Sequence, residues 1–316
     1  MGIVINQSFK NMLSTYLGFG IGAINTLFLY TNFLSDEYYG LVGFILATAT
    51  LLMPLMAFGV QNTIIKFYSS YKTKQSISRF FTLMLLLPLL LVIPFGLIAS
   101  LFYEEVASFL AKENTIIYNY VWHIYIAAIA MAYFEIFFAW TKTQLQSVFG
   151  NVMKEVFHRI AIMILLFAVS FNWISIEQFI DYLITVYVLR MLIMMGYAFS
   201  LRFPSFSVRR VDNLKEIITY AALIILAGSV ATMVLDIDKF MIGEMLEIEK
   251  VAYYSVAVFI ATVIAVPQRA MHQIVSPLTA QFLNNGNKSE LKELYQKSSL
   301  NLFVIGGLVF LLIVSF

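Results

Sequence analysis

Residues 236–281 read DIDKFMIGEMLEIEKVAYYSVAVFIATVIAVPQRAMHQIVSPLTAQ and pass from acidic through apolar to basic surroundings. An acidic loop precedes the apolar run, and a proline-containing basic segment with Pro267 and Arg269 follows it. A helix needs about 20 apolar residues to cross a bilayer, and polar flanks mark its two interfaces. The same plan recurs at residues 35–79, so the chain is predicted to contain repeated membrane crossings.

Composition places most of the chain in lipid. Of 316 residues, 61% are hydrophobic and only 12% are charged. Soluble domains carry about 25% charged residues, and no soluble fold can bury this much apolar surface. The absence of cysteine excludes disulfides and cysteine-ligated metals. We therefore predict an all-α integral membrane protein of about nine transmembrane helices, at residues 12–33, 41–65, 80–102, 116–140, 160–173, 179–201, 217–235, 251–266 and 300–316.

The basic residues predict the orientation of these helices. With the N-terminus in the cytoplasm, 16 of the 20 Lys and Arg residues fall in cytoplasmic segments. External segments contain Lys112, Lys239 and Lys250, and Arg190 lies inside a helix. Positive charge concentrates on the cytoplasmic side of membrane proteins, so this bias supports a cytoplasmic N-terminus.

A short internal similarity suggests a repeated architecture. Residues 44–48 read FILAT and residues 259–262 read FIAT, and a proline follows each at similar spacing. The second copy lies six helices after the first, an even number, which predicts parallel repeats. We expect a six-helix N-terminal lobe at 1–202, a cytoplasmic linker at 203–216 and the first three helices of an incomplete C-terminal lobe at 217–316.

Several segments resemble one family of transporters. LDIDKFMIG at 235–243, VAYYSVA at 251–257 and GVQNTIIKFY at 59–68 resemble segments of Wzx-like polysaccharide flippases, with Ala252 where glycine is usual. These flippases belong to the multidrug/oligosaccharidyl-lipid/polysaccharide exporter superfamily. The resemblance implies two lobes around a central cavity that opens to each side in turn. It also implies a cargo of oligosaccharide linked to polyprenyl pyrophosphate.

The resemblance predicts a flippase, and not an enzyme, of the cell inner (cytoplasmic) membrane. It would serve the synthesis of O-antigen, capsule or exopolysaccharide. Expected partners are the lipid-linked oligosaccharide and membrane lipids, with glycosyltransferases and a polysaccharide polymerase as candidates; no nucleic acid, cofactor or metal is expected. The alternatives are a multidrug antiporter of the same superfamily and a non-transporting membrane component of a polysaccharide assembly complex. Such antiporters more often have a buried acid in the first helix, and residues 12–33 contain no charge.

A few polar residues inside apolar segments are candidate site residues. Arg190 lies deep in its helix, where a cation is costly unless solvated or paired, so we predict that it attracts the carrier pyrophosphate. Tyr187 and Asn25 are candidates to line the same cavity. Glu135 is predicted to be the ion-pair partner of Arg190, or alternatively an ion- or proton-coupling group.

Two polar segments lie near predicted helix ends. Asp236, Asp238 and Lys239 are predicted to form an external gate. Residues 281–299 form the longest polar segment, predicted to be cytoplasmic. Apolar residues at helical spacing within it favour a short amphipathic helix at the membrane surface, with a solvated connector as the alternative.

Overall fold

The computed structural model describes residues 2–204, 213–284 and 286–315, and every regular element in these ranges is a helix. Short π-helical turns at Asn25–Leu29 and Met153–Phe157 and 3₁₀ turns at Tyr68–Ser70, Thr115–Tyr120 and Val263–Ala265 join some of them. The α-helices are α1 Gly2–Ile24, α2 Tyr30–Phe33, α3 Asp36–Met56, α4 Val60–Phe67, α5 Lys74–Leu86, α6 Leu89–Leu101, α7 Tyr103–Leu110, α8 Val121–Thr143, α9 Val148–Val152, α10 His158–Ser170, α11 Ile176–Leu201, α12 Leu214–Met245, α13 Glu249–Thr262, α14 Val266–Asn284 and α15 Lys288–Ser315.

The all-helical membrane architecture is confirmed. Within the described residues, seven helical runs are long and apolar enough to span a bilayer: Gln7–Phe33, Asp36–Met56, Lys74–Leu101, Thr115–Thr143, Ile176–Leu201, Glu249–Arg269 and Lys288–Ser315. The remaining two predicted segments are also helical, since α10 contains most of 160–173 and α12 contains 217–235. The chain is therefore a multi-pass membrane protein.

Local capping explains where several spans begin. The Ser35 side chain accepts a hydrogen bond from the backbone N–H of Tyr38 at the start of α3. Ser175 does the same for α11, where its partner Gln178 bonds back to the Ser175 backbone at 2.9 Å. These hydrogen bonds satisfy N–H groups that have no partner inside the helix.

The predicted second segment, 41–65, is wrong as one helix. α3 ends at Met56, and α4 begins at Val60 after Phe58 and Gly59 adopt left-handed backbone angles. Glycine reaches this conformation without steric cost, which explains its position at the break. A Cβ at Gly59 would also collide with the Ala221 carbonyl of α12, so the break allows two backbones to pack closely.

The core surrounds α8. Of its most apolar stretch, 72% is buried inside the protein, whereas none of the corresponding stretch of α15 is. α8 packs between α3 and α11, and its Trp140 stacks on Phe81 of α5 at a centroid distance of 3.8 Å. α12 and α13 pack against α3, while α14 packs against α1. The helices predicted for the second lobe thus contact the first two spans.

The division into lobes and the parallel repeat stay predictions. Residues 205–212, which make up most of the predicted linker, lie outside the described residues. The polar segment at 281–299 is corrected in part, because Lys288 begins α15 and the helix continues without interruption to Ser315. No separate surface helix precedes this span within 288–299.

Candidate substrate cavity

A cavity of about 440 Å³ lies between the helices predicted for the two lobes. Side chains of α1, α2, α3 and α10 line one side, and side chains of α12, α13 and α14 line the other. This size falls within the range of about 300–1,000 Å³ that is typical of sites for small ligands. The cavity is therefore the candidate functional site.

Cations dominate the charged lining of the cavity. Arg159, Lys239 and Arg269 contribute three positive charges, and Asp236 contributes one negative charge. Lys239 Nζ lies 3.3 Å from Asp236 Oδ1, so this pair is neutral. Arg159 pairs with Glu155, so Arg269 is the lining cation that has no ion-pair partner among the described residues, and it favours an anionic ligand.

Arg159 is held at the cavity wall by three elements. Its Nη1 lies 2.9 Å from Glu155 Oε2, and its backbone carbonyl accepts a hydrogen bond of 2.8 Å from Asn25 Nδ2. Gly22 of α1 makes room for the side chain, because a Cβ there would lie 3.1 Å from Arg159 Nε. A Cβ at Gly18 would collide with the Glu155 carbonyl. Close packing of α1 on this turn thus positions the guanidinium.

Asn25 lies beside the cavity, and its side chain donates a hydrogen bond to the backbone carbonyl of Arg159. Its side chain is buried, and its Oδ1 finds no hydrogen-bond partner within the described residues. The predicted role in contacting cargo stays a prediction, while the geometry assigns Asn25 a positioning contact with the Arg159 backbone.

The sequence suggested that Asp236 and Lys239 lie in a loop, but the structure places both in a helix. α12 continues through both residues to Met245, and both line the cavity. The last part of α12 contains four charged residues, and in sequence such a group resembles the polar loop at a membrane interface. The predicted loop was therefore too long. Asp238 points to another neighbour, accepting a hydrogen bond from the Tyr254 hydroxyl of α13.

Aromatic rings and hydroxyl groups complete the lining. Phe19 of α1 stacks on Phe259 of α13 at 4.9 Å, so the two sides of the cavity meet there. Tyr30 and Tyr39 stack at 4.8 Å on one wall. Ser255 adds a buried hydroxyl that has no hydrogen-bond partner among the described residues. The cavity therefore offers cations, flat apolar faces and hydroxyl groups together.

Arg190 is buried in the N-terminal helices and does not line this cavity. Its guanidinium lies 4.3 Å from the ring centroid of Phe134 and 4.8 Å from that of Tyr187. Only 6% of the residue is exposed, and Nε has no hydrogen-bond partner in the described part of the chain. The two aromatic faces stabilise the cation in place of a carboxylate.

The predicted pairing of Glu135 with Arg190 is wrong. Glu135 Oε1 instead lies 2.6 Å from Nζ of Lys154, in the turn before α10. From the sequence, Lys154 was assigned to a cytoplasmic loop. In the structure it lies in the Met153–Phe157 helical turn, which places it beside α8. Glu135 thus has a local cationic partner, and it forms no ion pair with Arg190 among the described residues.

A cluster of hydrogen bonds joins the loop after α7 to the turn between α12 and α13. Asn114 donates from Nδ2 to the carbonyls of Gly243 and Leu246 at 2.7 and 2.8 Å. Its Oδ1 accepts from the N–H of Ile248 at 2.9 Å. Gly40 of α3 lies so close to the Ile248 carbonyl that a Cβ would collide with it. A single side chain therefore joins the loop after α7 to the α12–α13 turn.

Sequence reasoning missed Arg159, Arg269 and Asn114. Both arginines were assigned to cytoplasmic loops, because each lies beside an apolar stretch. The glycines at positions 18 and 22, one turn apart on α1, were the available signal for a close approach. Nothing in the sequence distinguished Asn114. Within the described residues, no group of three His, Asp or Glu side chains is placed to hold a metal ion.

The profile of a family described as polysaccharide biosynthesis protein matches residues 4–281. The chain belongs to this family. It is the family of Wzx-like polysaccharide flippases and exporters, whose members are transporters rather than enzymes. No curated protein and no solved structure gives a significant match to the sequence. The resemblance found in the sequence is thus confirmed for the family, which accounts for the membrane architecture.

Proposed function

We propose that this polysaccharide biosynthesis family member flips polyprenyl-pyrophosphate-linked oligosaccharide across the cytoplasmic membrane. The product would serve the synthesis of O-antigen, capsule or exopolysaccharide. The observation that carries the proposal is the cavity between the two predicted lobes, which is lined by Arg159, paired with Glu155, and by Arg269, which has no ion-pair partner among the described residues. Guanidinium groups bind phosphate oxygens through paired hydrogen bonds, so these arginines suit the pyrophosphate of the carrier.

The rest of the lining suits a sugar. The stacked Tyr30 and Tyr39 contribute aromatic surface, and the Ser255 hydroxyl, which has no hydrogen-bond partner among the described residues, also lines the cavity. A sugar ring has apolar C–H faces and polar edges, so a wall of this kind complements both. The cavity volume of about 440 Å³ holds only part of a lipid-linked glycan. The lipid tail would stay in the bilayer.

Alternating access accounts for the hydrogen bonds of Asn114. In the proposed orientation, with a cytoplasmic N-terminus, Asn114 lies at the external end of the bundle. Its three hydrogen bonds then hold the external side closed. Opening toward the outside would break these bonds, and cargo binding would supply the difference in free energy between the two states.

A drug antiporter is the less favoured transporter. Its typical substrates are cationic, and Arg269, which has no ion-pair partner among the described residues, would repel a cation from the cavity. The charge of the lining thus separates the two alternatives.

The test is lipid analysis of a strain that lacks the gene. Build-up of one polyprenyl-linked glycan in the inner leaflet, reversed by the full-length gene, is the expected result. The same gene carrying Arg159→Gln and Arg269→Gln should fail to reverse it. Normal glycan levels together with new sensitivity to cationic compounds would contradict the proposal.

A further inference from the structure

A contact between α4 and the first turns of α12 joins the helices predicted for the two lobes. Two side chains of α4 lie against the ring of Tyr220 in α12. The ammonium nitrogen of Lys66 lies 3.7 Å from the centroid of this ring, and the ring of Phe67 packs at a steep angle to it at 5.6 Å. The Tyr220 hydroxyl makes no hydrogen bond among the described residues. Both contacts therefore depend on the aromatic ring and not on the hydroxyl group.

The contact continues along one face of α12. Ile217 and Ala221 are fully buried, and together with Tyr220 and Ile224 they follow the spacing i, i+3, i+4 and i+7. Residues at this spacing share one face of a helix. A Cβ at Gly59 would collide with the Ala221 carbonyl and lie 3.1 Å from Ile224. The first turns of α12 thus pack closely against α4 and the turn that precedes it.

α4 is anchored to the N-terminal helices by its other side. It packs on α8, and its Val60 and Ile64 are fully buried. The turn before it holds Phe58 and Gly59 at φ angles of 51° and 63°. A bulky residue in the left-handed region is strained, and such strain persists only where the surrounding packing holds it. α4 is therefore a fixed part of the N-terminal bundle.

This contact and the hydrogen bonds of Asn114 lie near opposite ends of α12. Tyr220 and Gly243, whose carbonyl accepts one of those hydrogen bonds, are separated by about 35 Å of helix at ~1.5 Å per residue. Asp236 and Lys239, the α12 residues that line the cavity, lie between them. Along α12, the cavity is therefore flanked on each side by a contact with the N-terminal helices.

We propose that the contacts on Tyr220 form a latch that holds the cytoplasmic side of the cavity closed. The latch rests on the proposed function, because alternating access requires the cavity to open to each side in turn. α4 stays with α8, so a movement of α12 that opens the cytoplasmic side withdraws Tyr220 from Lys66 and Phe67. Lys66 is exposed and has no ion-pair partner among the described residues, so the latch opens without separating a salt bridge.

The experiment measures how fast Ser255→Cys in the cavity reacts with an impermeant maleimide added to inside-out membrane vesicles. The chain has no cysteine, so this position is a unique label site. Tyr220→Leu removes the ring. Each ring contact shifts an equilibrium by roughly two- to fivefold, so we expect labelling about fivefold faster or more. Tyr220→Phe keeps the ring and should react at the wild-type rate, which separates loss of the ring from a general effect of substitution.

The matched control is Tyr197→Leu, which removes a tyrosine that stacks on Phe149 at 4.3 Å, within the N-terminal helices. Its labelling rate should equal that of the wild type. A wild-type rate for Tyr220→Leu would overturn the proposal, as would equal acceleration by Tyr197→Leu. Acceleration confined to reagent added outside intact cells would place the latch on the external side and also overturn it. Labelling requires no cargo, so its outcome is separate from the lipid analysis that tests the proposed function.

Discussion

Gly18 and Gly20 lie two residues apart on α1, yet only Gly18 faces another backbone. A Cβ at Gly18 would collide with the Glu155 carbonyl, whereas a Cβ at Gly20 has nothing within 4 Å. We expect Gly18→Ala to destabilise the protein by about 1–3 kcal/mol, the usual cost of overpacking, and to displace Arg159. Gly20→Ala should leave stability unchanged or raise it. Thermal unfolding of the purified variants measures both, and equal melting temperatures would refute the proposed close packing.

Glu135 and Lys154 form the second residue-scale prediction. Lys154 is 42% exposed, so the loss on Glu135→Ala should be about 1–2 kcal/mol, below the ~3–5 kcal/mol of a fully buried pair. Glu135→Leu/Lys154→Leu should restore thermal stability, because both charges then disappear. Transport distinguishes the two roles of Glu135. Restored stability with normal transport shows a structural pair, and restored stability without transport shows a coupling group.

The sequence singled out Arg190 as a charge within an apolar run, and the structure buries it there, but its predicted role in binding the carrier pyrophosphate stays a prediction. A charged residue inside an apolar run can be recognised from the sequence alone, and Arg190 was selected in this way. Which carboxylate lies near it depends on helix rotation and on turns such as Met153–Phe157, which bring Lys154 to Glu135. Long-range proximity of this kind has no local signal in a single sequence.

At the scale of elements, spans were easier to predict than their ends. Seven of the predicted segments correspond to helical runs able to cross a bilayer, because about 20 apolar residues have few alternatives. The break after Met56 was missed, since residues 51–60 are apolar and Gly59 is the one residue in the sequence that marks the left-handed turn. α12 was predicted too short, because charged residues inside a helix that faces a cavity resemble a loop.

The contact of Asn114 with the α12–α13 turn predicts a gate that can be weakened selectively. Each net hydrogen bond contributes about 1 kcal/mol, so Asn114→Ala should favour the externally open state by up to ~3 kcal/mol. The chain has no cysteine, and Ser255→Cys in the cavity is therefore a unique label site. An impermeant maleimide added outside the cell should react several-fold faster with the Asn114→Ala background.

The matched control for this gate is Asn119→Ala, which changes the same residue type five positions away in the Thr115–Tyr120 turn. Asn119 makes no hydrogen bond to α12 among the described residues, so the labelling rate should stay at the wild-type value. Equal labelling rates at Ser255→Cys in the otherwise wild-type, Asn114→Ala and Asn119→Ala proteins would show that Asn114 does not stabilise the externally closed state.

For the whole molecule, the distribution of charge predicts orientation. Cysteines placed at Lys112 and Lys250 should react with an impermeant reagent in intact cells, because both positions lie in predicted external segments. A cysteine at the exposed Lys72 should react only after the membrane is permeabilised. Labelling of Lys72→Cys in intact cells would reverse the orientation and place Asn114 at the cytoplasmic end.

The central claim is that the cation-lined cavity binds the phosphates of a lipid-linked glycan. The most direct measurement is the affinity of the purified full-length protein for polyprenyl-pyrophosphate-linked oligosaccharide, with and without Arg159→Gln/Arg269→Gln. Two charge-assisted contacts of about 1.5–3 kcal/mol each are removed, so we predict at least a tenfold rise in Kd. Lys250→Gln/Lys297→Gln should leave Kd unchanged. An unchanged Kd for the arginine variant, in a protein of normal stability, would contradict the account.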